Sequence, residues 1–410
     1  MIKTCKSIIH RAQLDNRTFT VVFLVMMLVQ IIPIEGTGVS YLKVGGMSIT
    51  TLLAFKYIKY NSRPLLFAFL YYTIAFICIY FASYNLRYST VIYLGLFLFS
   101  YCGFYGLLHK KVLTLSQATY TIRNILYAFT IVLIYQQICT LIGFRKQEFT
   151  NICWDFENAY KLNSLSLEPS HAGRVFGCLV LAYLKLDGLQ RNYSGIKDFY
   201  KNNRKTCLAS MYTFITMGST TSLLMLLVVI MYFIRKKYLI YIITVFMISV
   251  VILPMIEYEP IQRALVTLDA ASTGCQDAIQ DADGSASVRT FTYFNTIDQF
   301  NPSDVKYWFG HGVENTKKEF YEGSWRVESN QIGGIYQYGF LPFLLSLLFI
   351  YKFGIRFLSL ENLIFILFLG AGFGNIAYQW GCIMLFTMIR FYEDRCTNIK
   401  NVVFNKEFNN

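Results

Sequence analysis

The chain reads as an all-α polytopic membrane protein, and three observations carry that expectation. Hydrophobic residues make up 55% of its 410 positions and charged residues only 15%, against about a quarter charged in a soluble chain. Long apolar runs recur from residue 18 to residue 391, and the mean hydropathy is +0.42. The runs do not alternate with the period of two that an outer-membrane barrel requires, so helices must satisfy the backbone within each span.

Twelve spans follow in order: 18–35, 45–59, 64–83, 88–107, 123–143, 171–187, 205–218, 221–235, 238–255, 331–351, 357–376 and 378–391. The first has spanning length and lacks a small-residue cleavage site, which predicts a retained helix rather than a removed signal peptide. Basic connections fall on one side of this map: Lys56, Lys59 and Arg63; Lys110 and Lys111; Arg191 to Lys205; Arg235 to Lys237; Lys352 and Arg356. Lys3, Lys6, Arg11 and Arg17 near the amino terminus join them, as does the carboxy-terminal tail. The positive-inside bias puts that side, and both termini, in the cytoplasm. The same clustering accounts for the net charge of +13 without nucleic acid as a partner.

Segment 205–235 is read as two helices around "GSTTS" (218–222), because Arg204/Lys205 and Arg235–Lys237 both belong inside and require an even number of crossings. Each half is only about 20 Å long, short for a hydrocarbon core of roughly 30 Å. Such helices are tolerated where they line a protein-enclosed cavity.

A single membrane domain, 1–410, is expected to carry two external segments, 144–170 and 256–330. The second holds half of the acidic residues, and loops of that length are usually lids or binding elements. It is expected to dock on the outer face of the membrane core. The ten cysteines show no CxxC and no Cys/His ligand spacing, so structural zinc is not expected. Cys153 and Cys275 fall in the external segments, where they are free to pair or to stay apart.

Candidate chemistry gathers outside. "LSLEPSHAGRVFG" (165–177) puts Glu168, His171 and Arg174 three apart at the start of a span, so they share a helix face if Pro169 opens the helix. Each has an ordinary reading as well: Glu168 or Ser170 as a cap, Arg174 snorkelling to headgroups. "SASVRTFTYF" (285–294) offers Arg289, whose planar fork suits a phosphate but equally pairs with Asp281 or Asp283. "FGHGVEN" (309–315) sets His311 between glycines, as a proton carrier or simply as a turn residue facing water. "DAD" (281–283) is similar to a nucleotide-sugar transferase motif, but it lies on the side where such donors are not supplied. No Walker A sequence, HExxH, GxSxG or calcium loop is present. Tyrosine and phenylalanine in the spans are read as packing and interfacial anchors.

Four segments in order resemble the O-antigen polymerase and ligase superfamily of bacterial membrane glycosyltransferases. They are "SLEPSHAG" before a span, "ITMGSTTSLLML" at a helix break, "GSASVR" followed by "FGHG" in a large external loop, and "SNQIGGIYQYGFLPFLL" at its re-entry. The resemblance covers roughly residues 160–350, and the Glu-Pro-Ser-His form is closer to the polymerase branch. Two departures stand out. The family often has an arginine in the turn that here reads "GSTTS", and ligases tend to have His-Asn where this chain has Ser329-Asn330.

The resemblance implies a GT-C-like fold whose large loop and active site face the periplasm from the bacterial inner membrane. It implies metal-independent glycosyl transfer without a cofactor, from a growing glycan on undecaprenyl diphosphate to a hydroxyl of an incoming lipid-linked repeat unit. Arg289 and Arg174 would hold the diphosphate, with His311, Glu168 or His171 as the base. Ser219, Thr220 and Asn330 would line the lipid-carrier crevice. Membrane lipids and a chain-length regulator are the implied partners. The alternatives are an O-antigen ligase and a lipid-linked oligosaccharide flippase, although the inverted repeats expected of a transporter are not seen.

Overall fold

A computed structural model describes residues 2–32, 40–82, 88–110, 113–144, 147, 161–234, 259–273, 278–279, 281, 284–312, 318–321, 324–327, 330–372 and 377–408. Almost all of it is helical. The helices are α1 (Ile2–Leu28), α2 (Tyr41–Phe55), α3 (Arg63–Ala82), α4 (Tyr88–His109), α5 (Leu115–Leu141), α6 (Pro169–Arg191), α7 (Ile196–Asn202), α8 (Arg204–Thr216) and α9 (Thr220–Met231). They continue with α10 (Glu259–Ser272), α11 (Gly284–Asp298), α12 (Val305–Phe309), α13 (Ile335–Tyr338), α14 (Phe340–Phe353), α15 (Leu360–Phe368) and α16 (Ala377–Phe408). One antiparallel hairpin, β1 (Lys318–Tyr321) and β2 (Ser324–Val327), pairs Lys318 with Val327 and Tyr321 with Ser324. The all-α expectation therefore needs that one amendment.

Four described stretches are long and apolar enough to cross a membrane: Gln13–Ile31, Arg63–Phe81, Tyr88–His109 and Leu115–Leu141. They mark a membrane-embedded protein. Large apolar side chains also stand exposed around the perimeter, among them Leu52, Leu66, Phe81 and Leu141. A soluble surface rarely tolerates such patches.

Local signals set the helix starts. Thr114 and Gln117 form a reciprocal capping box on α5, and Ser40 and Ser359 accept backbone N–H bonds at the starts of α2 and α15. Helices α4, α6 and the first half of α16 are buried on nearly every side, as expected of helices apolar all round. Glycines allow the closest approaches. A Cβ on Gly103 would lie 2.3 Å from the Ala54 Cβ, and one on Gly106 would lie 2.1 Å from the Tyr57 carbonyl oxygen. Small residues at such crossings let helix backbones meet in the absence of water.

Side-chain pairs fix the relative sense of neighbouring helices. Helices α6 and α16 run the same way, with Arg174 bonded to Tyr378 at one end and Lys185 to Glu393 at the other. Helices α5 and α8 also run together, through Tyr127–Thr206 and Thr130–Thr213, both 2.9 Å. So do α6 and α9, which touch at Gly173–Ser222 and Gly177–Met225. Helix α5 runs against α6, with Phe129 beside Phe176 and Leu133 clustered with Ala172. The 205–235 segment is therefore two helices of opposite sense, reversing at Gly218, whose φ is +65°.

Two of the expected spans are broken. Segment 331–351 splits into a 3-10 turn (Ile332–Gly334), α13 and α14, because Gly333, Gly334 and Gly339 all have positive φ. Within 357–376, the helix stops at Phe368, and Gly370 (φ +71°) and Ala371 (φ +45°) turn the chain out of helical geometry. The last helix, by contrast, runs far past 391 to Phe408. The ninth span, 238–255, lies outside the described residues, as do Cys153 and Cys275.

The far end of α6 is tied by charge. Lys185 Nζ lies 2.7 Å from Glu361 and 3.1 Å from Glu393, and Arg356 pairs with Glu393 at 2.7 Å and also with Asp394. At the same end Asp15 accepts from Tyr57 (2.6 Å) and from Lys110. The opposite end, where α6 begins, carries the candidate site residues Glu168, His171 and Arg174.

Candidate functional site

Helix α6 opens as its sequence suggests, with Glu168 at the N-cap and Pro169 in the first turn. Neither ordinary cap is used, however. Glu168 makes no side-chain cap bond, and the Ser170 hydroxyl donates to the Glu168 carboxylate at 3.4 Å. The carboxylate faces His171, with Oε2 3.7 Å from Nε2. One turn on, Arg174 Nη1 donates to the Tyr378 hydroxyl at 2.6 Å. His171 stacks on the Tyr378 ring at 4.8 Å between centroids, and the Arg174 guanidinium lies 5.7 Å from the ring centre. The three residues share one face, and a buried tyrosine organises it.

Arg174 is half-buried. Its Nε is buried and has no hydrogen-bond partner among the described residues. A cationic donor left unpaired away from water is costly, and an anionic oxygen would satisfy it.

Three other elements converge on this end. Helix α11 carries Tyr293, which donates to the Ile366 carbonyl at 2.7 Å. Burial raises the pKa of the Tyr293 hydroxyl while the Arg174 charge pulls it down, so the two groups feel each other. Arg289 lies one helical turn before Tyr293 in α11, and its side chain is outside the described residues, as is its pairing with Asp281 or Asp283. Asn295, further along α11, donates to the Asn330 carbonyl at 3.2 Å, and Thr296 accepts from the Ile332 N–H at 2.9 Å. Asn330 thus meets α11 through its backbone.

The helix reversal supplies the second wall. A Cβ on Gly173 would come within 3.0 Å of the Ser222 backbone, so the α8–α9 turn rests on the residue before Arg174. Ser219 is the α9 N-cap and Thr220 its first residue. Towards the opposite end of these helices, Leu184, Phe199 of α7, Cys207, Phe214 and Phe233 line part of a separate apolar cavity of about 200 Å³. The third wall is the break before α16. Gln379 donates to the Leu369 carbonyl at 2.6 Å, and the Gly333 N–H donates to the Gly370 carbonyl at 2.9 Å.

His311 is placed elsewhere. Its N–H donates to the Tyr336 carbonyl at 2.7 Å, and its ring stacks on Tyr336 at 4.3 Å with a 7° tilt. Gly310 (φ +82°) allows this, since a Cβ there would meet the Gln337 carbonyl at 2.6 Å. The pocket beside it is built from α12 and the end of α3, without Glu168, His171 or Arg174. Sequence reasoning missed Tyr378 and Tyr293. With 31 tyrosines in the chain, nothing in the local pattern singles out these two.

No family model matches this chain, and neither a curated protein nor a solved structure matches it. The site stands on its own chemistry: a fixed guanidinium with an unsatisfied donor and an acid–imidazole pair, both held by Tyr378.

Proposed function

We propose that the chain is a membrane glycosyltransferase that polymerises lipid-linked repeat units into an O-antigen or capsular-type polysaccharide. In this reading it crosses the bacterial inner membrane twelve times with both termini in the cytoplasm. The Arg174 end of α6 faces the periplasm. The helix senses support that path: the second and fourth, fifth and seventh, sixth and eighth, and sixth and twelfth expected spans each run alike. Basic side chains near the Lys185 end fit the cytoplasmic assignment.

The single observation that carries the reading is Arg174, held by Tyr378 yet with a buried Nε left to bind an anion. The donor is a glycan on undecaprenyl diphosphate, and the acceptor is a sugar hydroxyl of an incoming lipid-linked unit. The acceptor oxygen forms a bond to the anomeric carbon as the bond from that carbon to the diphosphate oxygen breaks. The bonding pair leaves with the diphosphate. Arg174, with Arg289 from α11, compensates the charge that grows there. His171 takes the hydroxyl proton, and Glu168 balances the imidazolium formed. Ser219 and Thr220 at the helix reversal would line the crevice for the lipid carrier.

Purified protein with synthetic undecaprenyl-diphosphate-linked repeat units tests this directly. A ladder of increasing length is the expected product. Transbilayer movement of the substrate with no ladder would replace the reading by a flippase. A single transfer of preformed polymer to a lipid A core acceptor would replace it by a ligase.

A further inference from the structure

The His311 pocket is left unused by this chemistry, and its construction is specific. It has a volume of about 430 Å³. One wall is the end of α3, through Ile77 and Phe81, and the other is α12, through Val305 and Phe309. Its polar groups are Lys306 and His311. The nearby Asp304 carboxylate is engaged in capping α12, accepting from the Lys306 N–H at 2.9 Å. Lys306 Nζ has no ion pair among the described residues.

The walls continue a lipid-facing surface. Leu66, Phe69, Leu70, Ile77, Tyr80 and Phe81 are exposed along the length of α3, a helix long and apolar enough to span a bilayer. That stripe ends at the pocket. Meanwhile α12 is held rigidly against the re-entry segment, with Tyr307 and Trp308 packed on Phe340 and His311 stacked on Tyr336. The Lys306 ammonium and the stacked His311 ring thus stand at the level where an apolar, outward-facing helix stops, which is where a phospholipid changes from acyl chain to headgroup.

We infer that this pocket binds one anionic glycerophospholipid from the surrounding leaflet. Its phosphate lies at Lys306 and His311, and an acyl chain follows Ile77 and Phe81 down α3. Charge complementarity selects an anion, and continuity with the exposed face of α3 selects a bilayer lipid over a water-soluble phosphate. Bound there, the lipid anchors the external segment beside the membrane. The inference depends on the membrane placement of α3 and not on glycosyl transfer.

The test is native mass spectrometry of the full chain released from nanodiscs holding equal amounts of phosphatidylglycerol and phosphatidylcholine. The wild type is expected to retain phosphatidylglycerol over phosphatidylcholine by about five-fold. Lys306→Glu/His311→Gln should bring the ratio to parity. If the double variant does not fold, Lys306→Gln alone should lower the ratio, since that side chain is exposed. Equal retention by the wild type, or an unchanged preference in the variant, overturns the proposal. Displacement by glycerol 3-phosphate would make the ligand a free phosphate, and displacement by undecaprenyl diphosphate would make the pocket a substrate site. Either result also overturns it.

Discussion

Arg174 Nη1 donates to the Tyr378 hydroxyl across 2.6 Å, joining the starts of two helices through residues 204 positions apart in the chain. The tyrosine ring also carries His171, so one side chain positions both the proposed anion binder and the proposed base. Removing either partner should be felt in catalysis before it is felt in folding.

Arg174→Ala is expected to lower the rate of ladder formation by roughly 100-fold, the scale on which loss of a preorganised charged donor is usually felt. Tyr378→Phe keeps the ring but not the hydroxyl, and about a 10-fold loss is expected. Initial rates on lipid-linked repeat units check both. Equal activity of the wild type and Arg174→Ala would remove this arginine from the site.

His171→Gln should reduce kcat by roughly 100-fold and flatten the acidic limb of the pH–rate profile, as loss of a general base does. His311→Gln should leave kcat within about two-fold, because its pocket lies on α3 and α12. The reverse ranking would move the base to His311.

Gly173→Val tests the contact between α6 and the helix reversal. Its Cβ would sit 3.0 Å from the Ser222 Cα, and the added methyls have no room. Overpacking of this kind costs about 1–3 kcal/mol, read as a lower thermal midpoint in detergent. Gly195→Ala is the control, since nothing lies within 4 Å of a Cβ there.

Lys185→Met should be severe, at about 3–5 kcal/mol, because it leaves buried Glu361 facing Glu393 without the cation between them. Adding Glu361→Gln should restore part of the loss. Thermal unfolding of the two variants side by side decides it.

Alkaline stability should report on Tyr193. Burial, and then its hydrogen bond to Asp187, push its pKa up to about 12 from an ordinary 10. The folded chain therefore keeps a proton that the unfolded chain releases, so this contribution is complete below pH 10 and is lost as pH rises towards 12. Tyr193→Phe should be less stable at pH 8 and should lose less than the wild type between pH 10 and 11.5.

Much of the helical path was legible because span length and basic connections follow from the bilayer itself. The pairing of 205–218 with 221–235 rested on the sidedness of Arg204 and Arg235, and the reversal at Gly218 is there. The shared face of Glu168, His171 and Arg174 was legible from three-residue spacing alone. The breaks in 331–351 and 357–376 were not, because hydropathy does not sense a positive φ at Gly339 or Ala371. Tyr378 was invisible for another reason. Its role comes from a helix contact across 204 residues, and a local pattern holds no record of that.

Because α6 and α16 run side by side in the same sense from Arg174–Tyr378 to Lys185–Glu393, their contacts behave like teeth on two racks. Deleting one residue of α16 between Tyr378 and Glu393 turns everything beyond it by about 100°. The upper tooth would still engage Arg174 while the lower one swung away from Lys185. The fifteen residues from Tyr378 to Glu393 are therefore a gauge length that α16 must keep against the eleven from Arg174 to Lys185 in α6.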